Sequence, residues 1–286
     1  MLDPDKLVSD VATLVSLPEV VLRINQMVDD PKSSAEDIGR IVAQDAALTA
    51  RLLSLANSAL FGMQRKVDTV GRAIAVLGTR QVRDLTLGLS AVRAFSGIPN
   101  DLVSMGSFWH HSVLCAVAAR SLAGQCVRGR PESSFVAGLL HDIGQLVLFA
   151  KAPTESRQAL LMTIDAPNEP DLHLCEREIL GFDHARVGGL LARRWRLPPS
   201  LAEAIEFHHD PARAGAHPLD VAIVHLANST AVLAEVESEE FEDAPPIEPV
   251  AFEVTGITRA QLLETAATAR ATVEEVKSLF QMPGLH

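Results

Sequence analysis

The sequence predicts an all-α fold, and three observations predict it. Apolar residues recur at helical spacing through nearly the whole chain. No segment shows sustained period-two alternation flanked by hairpin turns. No repeat of fixed period occurs. The 286 residues, set against about 150 per domain, allow one large domain or two modest ones. That length buries a core without disulfides or a structural metal.

The elements follow in order. Leu7, Val11, Leu14 and Val15 share one face of a first helix. Pro18 opens a second at its first turn, with Val21, Ile24, Met27 and Val28 as its buried stripe, and Asp29-Asp30-Pro31 stops it. Ser34 and Asp37 form a capping-box pattern ahead of Ile38, Ile41 and Val42. Asp45 caps a helix carrying Leu48, Leu52, Leu53 and Leu55, which closes at Gly62. A short helix is expected over 69–77, ending at Gly78, and a longer one over 79–95. The cluster Gly97-Ile98-Pro99-Asn100-Asp101 reads as a seam between two helical halves. Helices are then expected at 103–124, 133–149, 154–165, 171–180, 184–195, 199–208 and 218–234. Thr258 and Gln261 repeat the capping-box pattern before a last helix to Phe280.

Composition narrows the function classes. The net charge of −11 argues against a general polyanion binder. The absence of Tyr, with only two Trp, leaves few stacking platforms for single-stranded nucleic acid. Residues 235–253 carry eight acids and no base, which reads as a solvated linker. Residues 64–93 lean the other way: Arg65, Lys66, Arg72, Arg80, Arg83 and Arg93 stand against Asp68 and Asp84. That bias reads as a solvated face or an anchoring surface for an acidic partner, with DNA phosphates as the alternative. Cys115, Cys126 and Cys175 contain no C-x-x-C and fit packing roles in a reducing cytoplasm. No basic-then-apolar leader and no apolar run of roughly 20 residues is present, so a cytoplasmic chain without a membrane span is expected.

The histidines carry the chemistry. His141-Asp142 follows the apolar run Phe135–Leu140, His208-His209 lies in FHHDP, His110-His111 in FWHHS, and His184 follows Asp183 at a helix start. Imidazoles and carboxylates are the usual ligands of Zn, Fe and Mn ions, and helical bundles project such ligands inward from several helices. His173, His217, His225 and His286 read as ordinary hydrogen-bonded core or surface residues.

In order, His111, His141-Asp142, His184 and His208-His209 resemble the HD superfamily of metal-dependent phosphohydrolases. The first half sharpens the resemblance to the HDOD family. Leu17-Pro18, Asp45–Thr49, LLSLANSALFG (52–62), AIAVLG (73–78), FWHHS (108–112) and GGLLARRWRLPPSLAEAIEFHH (188–209) match its pattern. The resemblance implies an N-terminal helical bundle packed on an HD-like helical bundle. It places an HDOD domain at 8–235, divided into an N-terminal helical half (8–98) and an HD-like half (99–235), then an acidic linker (236–256) and a C-terminal helix (257–286). It also implies a bacterial signal-transduction regulator that works through protein contacts with receiver or other signalling domains. Any fused signalling domain is expected on another chain or outside this sequence.

A metal site of His111, His141, Asp142, His184, His208 and His209 is implied by the related HD-GYP phosphodiesterases, for Fe, Mn, Ni or Zn. The enzyme alternative is a phosphohydrolase acting on a nucleotide or cyclic dinucleotide, with Asp142 as a bridging ligand. Three departures weigh against cyclic di-GMP hydrolysis. Gln145 stands where HD-GYP enzymes carry Lys, the Gly-Tyr-Pro segment is missing, and Asn228 replaces a late Asp ligand. The Asn57-Ser58 pair is read as a helix terminator that orders the loop at Phe61-Gly62 through local backbone bonds, with a partner-binding groove as the alternative.

Overall fold

The computed structural model describes residues 2–12, 15–95, 101–165 and 171–280. Leu14, residues 97–100 of the expected seam, and His286 lie outside the described residues. Elements in chain order are α1 (Pro4–Ala12), α2 (Glu19–Asp29), α3 (Ala35–Val42), α4 (Ala46–Ala56), α5 (Val70–Leu77), α6 (Thr79–Phe95), α7 (Met105–Gln125) and α8 (Pro131–Leu140). They continue with α9 (Ile143–Lys151), α10 (Pro153–Asp165), α11 (Leu172–Leu180), α12 (His184–Arg194), α13 (Pro199–Phe207), α14 (Pro218–Glu235), α15 (Pro249–Thr255) and α16 (Arg259–Phe280). No strand occurs among the described residues, so the fold is all-α.

The expected caps form. The Ser34 hydroxyl accepts from the Asp37 amide at 3.1 Å, and the Asp37 carboxylate accepts from the Ser34 amide at 3.0 Å. Asp45 accepts from the Leu48 amide, Thr69 from the Arg72 amide, and Thr258 exchanges bonds with Gln261. Each satisfies amides that a helix start leaves without partners. Gly62 closes its turn at φ 59°, a left-handed conformation that favours glycine.

Helix α7 is the axis of the second half. It packs on α8, α14 and α16, while α9, α12 and α13 complete the bundle. Helices α2 to α6 pack among themselves in the first half. The halves meet where α6 lies on α8, and α16 bridges them by packing on α4 as well as α7 and α14. Helix α1 packs on α9 and α12, so the first helix belongs spatially to the second half.

Three features depart from the sequence reading. The single helix expected over 133–149 is two, because His141 and Asp142 interrupt it. The His141 ring donates from Nδ1 to the Gly138 carbonyl at 2.7 Å, taking the acceptor that the next helical turn would use. The acidic segment is not wholly linker. Pro249 starts α15, Gly256 stops it at φ 70°, and Ala251 is buried against the bundle. The basic bias of 64–93 is smaller at the surface than in the sequence, since Arg83 is buried and bound to Asp84 at 2.9 Å and to Asp29 at 3.4 Å.

Among the described residues, one continuous stretch, Pro131–Lys151, is long and apolar enough to cross a membrane, and 89% of its apolar window is buried within the fold. It spans α8 and α9 and forms core of the second half.

Candidate metal centre

Two glycines flank the His141-Asp142 break and set its position. A Cβ on Gly138 would stand 2.7 Å from the Cys115 carbonyl oxygen, so α8 lies directly on the α7 backbone, one turn along from His111. A Cβ on Gly144 would stand 1.9 Å from the His184 carbonyl oxygen and 2.6 Å from the Gly188 amide. Helix α9 therefore begins in backbone contact with the start of α12. Only residues without side chains permit these approaches. The two crossings bring His111, the His141-Asp142 pair and His184 to one place.

Asp142 is at the centre. Its Oδ1 is 3.0 Å from His184 Nε2 and 3.6 Å from His208 Nε2. Its Oδ2 is 3.3 Å from His141 Nε2 and 3.9 Å from His111 Nε2. His209 Nε2 is 3.0 Å from His184 Nε2, and the His209 ring stacks on His173 with centroids 3.9 Å apart. Two donor groups result, sharing Asp142: one with His184, His208 and His209, the other with His111 and His141. Within each group the donor atoms lie within 4.8 Å of one another.

The tautomers follow from the outer partners. His141 and His208 both sit at helix C-termini, where backbone carbonyls are free. Their Nδ1 atoms donate to the carbonyls of Gly138 and Ile205, at 2.7 and 2.8 Å. The Nε2 atom of each points inward, buried and without a hydrogen-bond partner. Two such buried nitrogens facing one carboxylate suit a metal ion, because leaving buried polar atoms without a hydrogen bond is costly. Ligands bound tetrahedrally at about 2.1 Å to one ion stand about 3.4 Å apart, within the 3.0–3.9 Å range of separations around Asp142. The residues present thus fit a divalent transition ion.

Charge is balanced tightly here. Burial opposes ionisation of Asp142, yet His141 and His184 beside it hold its carboxyl well below the usual range. Burial likewise favours neutral imidazoles, but Asp142 raises His141 and Glu176 with Asp142 raises His184, both well above the ordinary value. Burial and the neighbouring imidazoles push His208 and His209 well below it.

His111 is held differently. Its Nε2 is 3.0 Å from the Asn228 amide oxygen, and its Nδ1 is 3.2 Å from a Glu235 carboxylate oxygen. His225 is a satisfied core residue, with Nδ1 donating to the His208 carbonyl and Nε2 accepting from the Glu248 amide. His173 is more than an ordinary surface histidine, since it backs His209. Sequence reasoning missed Glu176 and Glu235. Their signal is weak, because each touches the site from a position that only the packing of α11 and α14 reveals.

A cavity of about 180 Å³ opens on Asp142, His184 and His209, with Gln145, Asn228, Pro245 and Pro246 among its other walls. Among the described residues no Lys or Arg lines it. A second groove, about 440 Å³, lies beside α11 and α13. Its Arg177, Arg186 and Arg213 each pair with Asp183, Glu206 or Asp210.

The HDOD domain family matches residues 14–211, more than half of the chain. The chain belongs to the HDOD domain family. Solved structures agree with this HDOD fold. One is a Shewanella amazonensis SB2B protein provisionally described as a phosphohydrolase, 24% identical, covering 96% of this chain and 97% of its own, with a TM-score of 0.74. Another is an HDOD domain protein of unknown function from Geobacter sulfurreducens, 25% identical, covering 97% of both chains, with a TM-score of 0.71. A third, from Marinobacter aquaeolei VT8 and provisionally described as a signal transduction protein, is 24% identical, with a TM-score of 0.70 over 96% of this chain and 60% of that one. An uncharacterized protein of Treponema pallidum (strain Nichols) is 27% identical over 260 residues, 90% of this chain. The HDOD chain spans about half of that relative, 49% of its length.

Proposed function

We propose that this HDOD chain is a signalling module that holds a divalent transition metal at Asp142 and acts through protein contacts, without turning over a substrate. The ligands on this reading are His111, His141, Asp142, His184, His208 and His209. The observation that carries it is the pair of buried Nε2 atoms on His141 and His208, neither of them hydrogen-bonded, facing one carboxylate. Fe, Ni and Zn suit its imidazoles, and Mn suits its carboxylate. The partners are signalling proteins such as receiver domains, in the cytoplasm.

The cavity supports the regulatory side of the proposal. Beyond the metal centre itself, a phosphoryl group entering it would meet Asp171 and the neutral Gln145, and among the described residues no Lys or Arg. The second reading, a metal-dependent phosphohydrolase, is favoured by the same cavity reaching Asp142, His184 and His209. A bound ion would supply an acidified water and polarise a phosphoryl oxygen. The chain's own part would be to orient those ligands and shape the cavity.

The test is a panel of nucleotide, cyclic dinucleotide and simple phosphoester substrates, offered to protein reconstituted with Mn²⁺, Fe²⁺, Ni²⁺ or Zn²⁺. The expected result is metal uptake with no turnover above that of Asp142→Ala. Turnover that depends on Asp142 would replace the regulatory reading with the enzymatic one.

A further inference from the structure

We infer that Glu176 is a positioning residue for the metal centre: it fixes the tautomer and aim of His184. The inference rests on the metal reading above and adds a residue to it. Glu176 lies on α11, and its side chain is fully buried. One oxygen, Oε2, accepts from the His184 backbone amide at 2.8 Å and lies 2.6 Å from His184 Nδ1. The other oxygen has no hydrogen-bond partner. A fully buried carboxylate is costly unless a cation or donors compensate it, so this one is not packing material.

The need for Glu176 comes from where His184 sits. His141 and His208 end helices, and each finds a free carbonyl three residues back in its own helix. His184 is the first residue of α12, where the free backbone groups are amides. No carbonyl of its own helix is available to hold Nδ1. A side chain from another element has to supply the acceptor, and Glu176 does so. With Nδ1–H held at the rear, Nε2 is fixed facing Asp142 Oδ1 and His209 Nε2, each 3.0 Å away. A carboxylate behind an imidazole also makes that imidazole a stronger donor than a backbone carbonyl does.

The test uses the full chain, with Glu176→Ala and Glu176→Gln beside the wild type, each checked for helical content by circular dichroism. Zn²⁺ affinity is measured by chelator competition. The His184 Nδ1–H resonance is followed by nitrogen-15 NMR in the metal-free and Zn²⁺-loaded forms. Expected for Glu176→Ala is about 10- to 100-fold weaker Zn²⁺ binding and loss of the slowly exchanging Nδ1–H resonance. Glu176→Gln, which keeps an oxygen acceptor, is expected to retain the resonance with an affinity between the two. A residue that merely packs would lower the melting temperature and move neither readout, and that result overturns the inference. A wild type that takes up no Zn²⁺ overturns the metal reading instead. The metal-free resonance then decides the role of Glu176: its loss in Glu176→Ala supports positioning, and its persistence contradicts it.

Discussion

Asn57 shows how much one side chain settles locally. Its amide donates to the Val67 carbonyl and its oxygen accepts from the Val67 amide, both at 2.7 Å, while Nδ2 also reaches the Leu53 carbonyl. The residue therefore ends α4, as the sequence reading expected, but its side chain reaches past Phe61-Gly62 and ties down Val67, ten residues on. Asn57→Ala is expected to cost about 1–3 kcal/mol, read as a lower urea midpoint with unchanged metal content. Asp37 gives a pH signature. Hydrogen bonds from the Ser34 side chain and backbone hold its carboxyl below the ordinary 3.8. Its contribution is thus fully present above 3.8 and is lost as pH falls through the lower folded-state value. The urea midpoint of wild type should exceed that of Asp37→Asn at pH 6, and the gap should close in acid.

Among the elements, the pairs α7–α8 and α9–α12 decide whether the histidines meet. Gly144→Ala would drive a methyl into the His184 carbonyl and force α9 from α12. A loss above about 3 kcal/mol is expected, since backbone rather than a flexible side chain stands in the way. Gly124→Ala on α7 meets nothing within 4 Å and should be neutral or slightly stabilising. Parallel thermal melts compare the two. Helical periodicity and caps made nearly every element legible in the sequence. The interruption at His141-Asp142 was not legible, because its apolar flanks Phe135–Leu140 and Leu146–Phe149 continue the helical pattern. It depends on a ring taking a carbonyl, which composition does not reveal. Helix α15 was hidden by the acids around it, although Pro249 and Gly256 mark both its ends. Of the site, the clustered His and Asp residues stood out as pairs. Glu176 stood in an ordinary amphipathic helix, and only the approach of α11 to the start of α12 distinguishes it.

At the scale of the molecule, the halves are joined by a buried polar link as well as by apolar contact. Asp84 on α6 accepts from Ser133 at the start of α8 at 2.5 Å and pairs with Arg83. The far end of α8 is capped by His141, so one helix runs from the junction of the halves to the metal centre. Asp84→Ala leaves a buried guanidinium without its nearest partner. A destabilisation of about 3–5 kcal/mol is expected by chemical denaturation. An ion bound only by the folded chain adds stability by mass action, about 2.7 kcal/mol at a free concentration 100 times its dissociation constant. A strong chelator should therefore lower the melting temperature of metal-loaded wild type and leave that of Asp142→Ala unchanged.

The most direct measurement is metal content, by elemental mass spectrometry of untagged protein purified without chelator, with His141→Ala and Asp142→Ala alongside. One or two equivalents of a transition metal in the wild type, lost in both variants, is the expected result. A folded wild type that stays empty after reconstitution with Mn²⁺, Fe²⁺, Ni²⁺ and Zn²⁺ would contradict the metal centre and leave its histidines as a buried polar network.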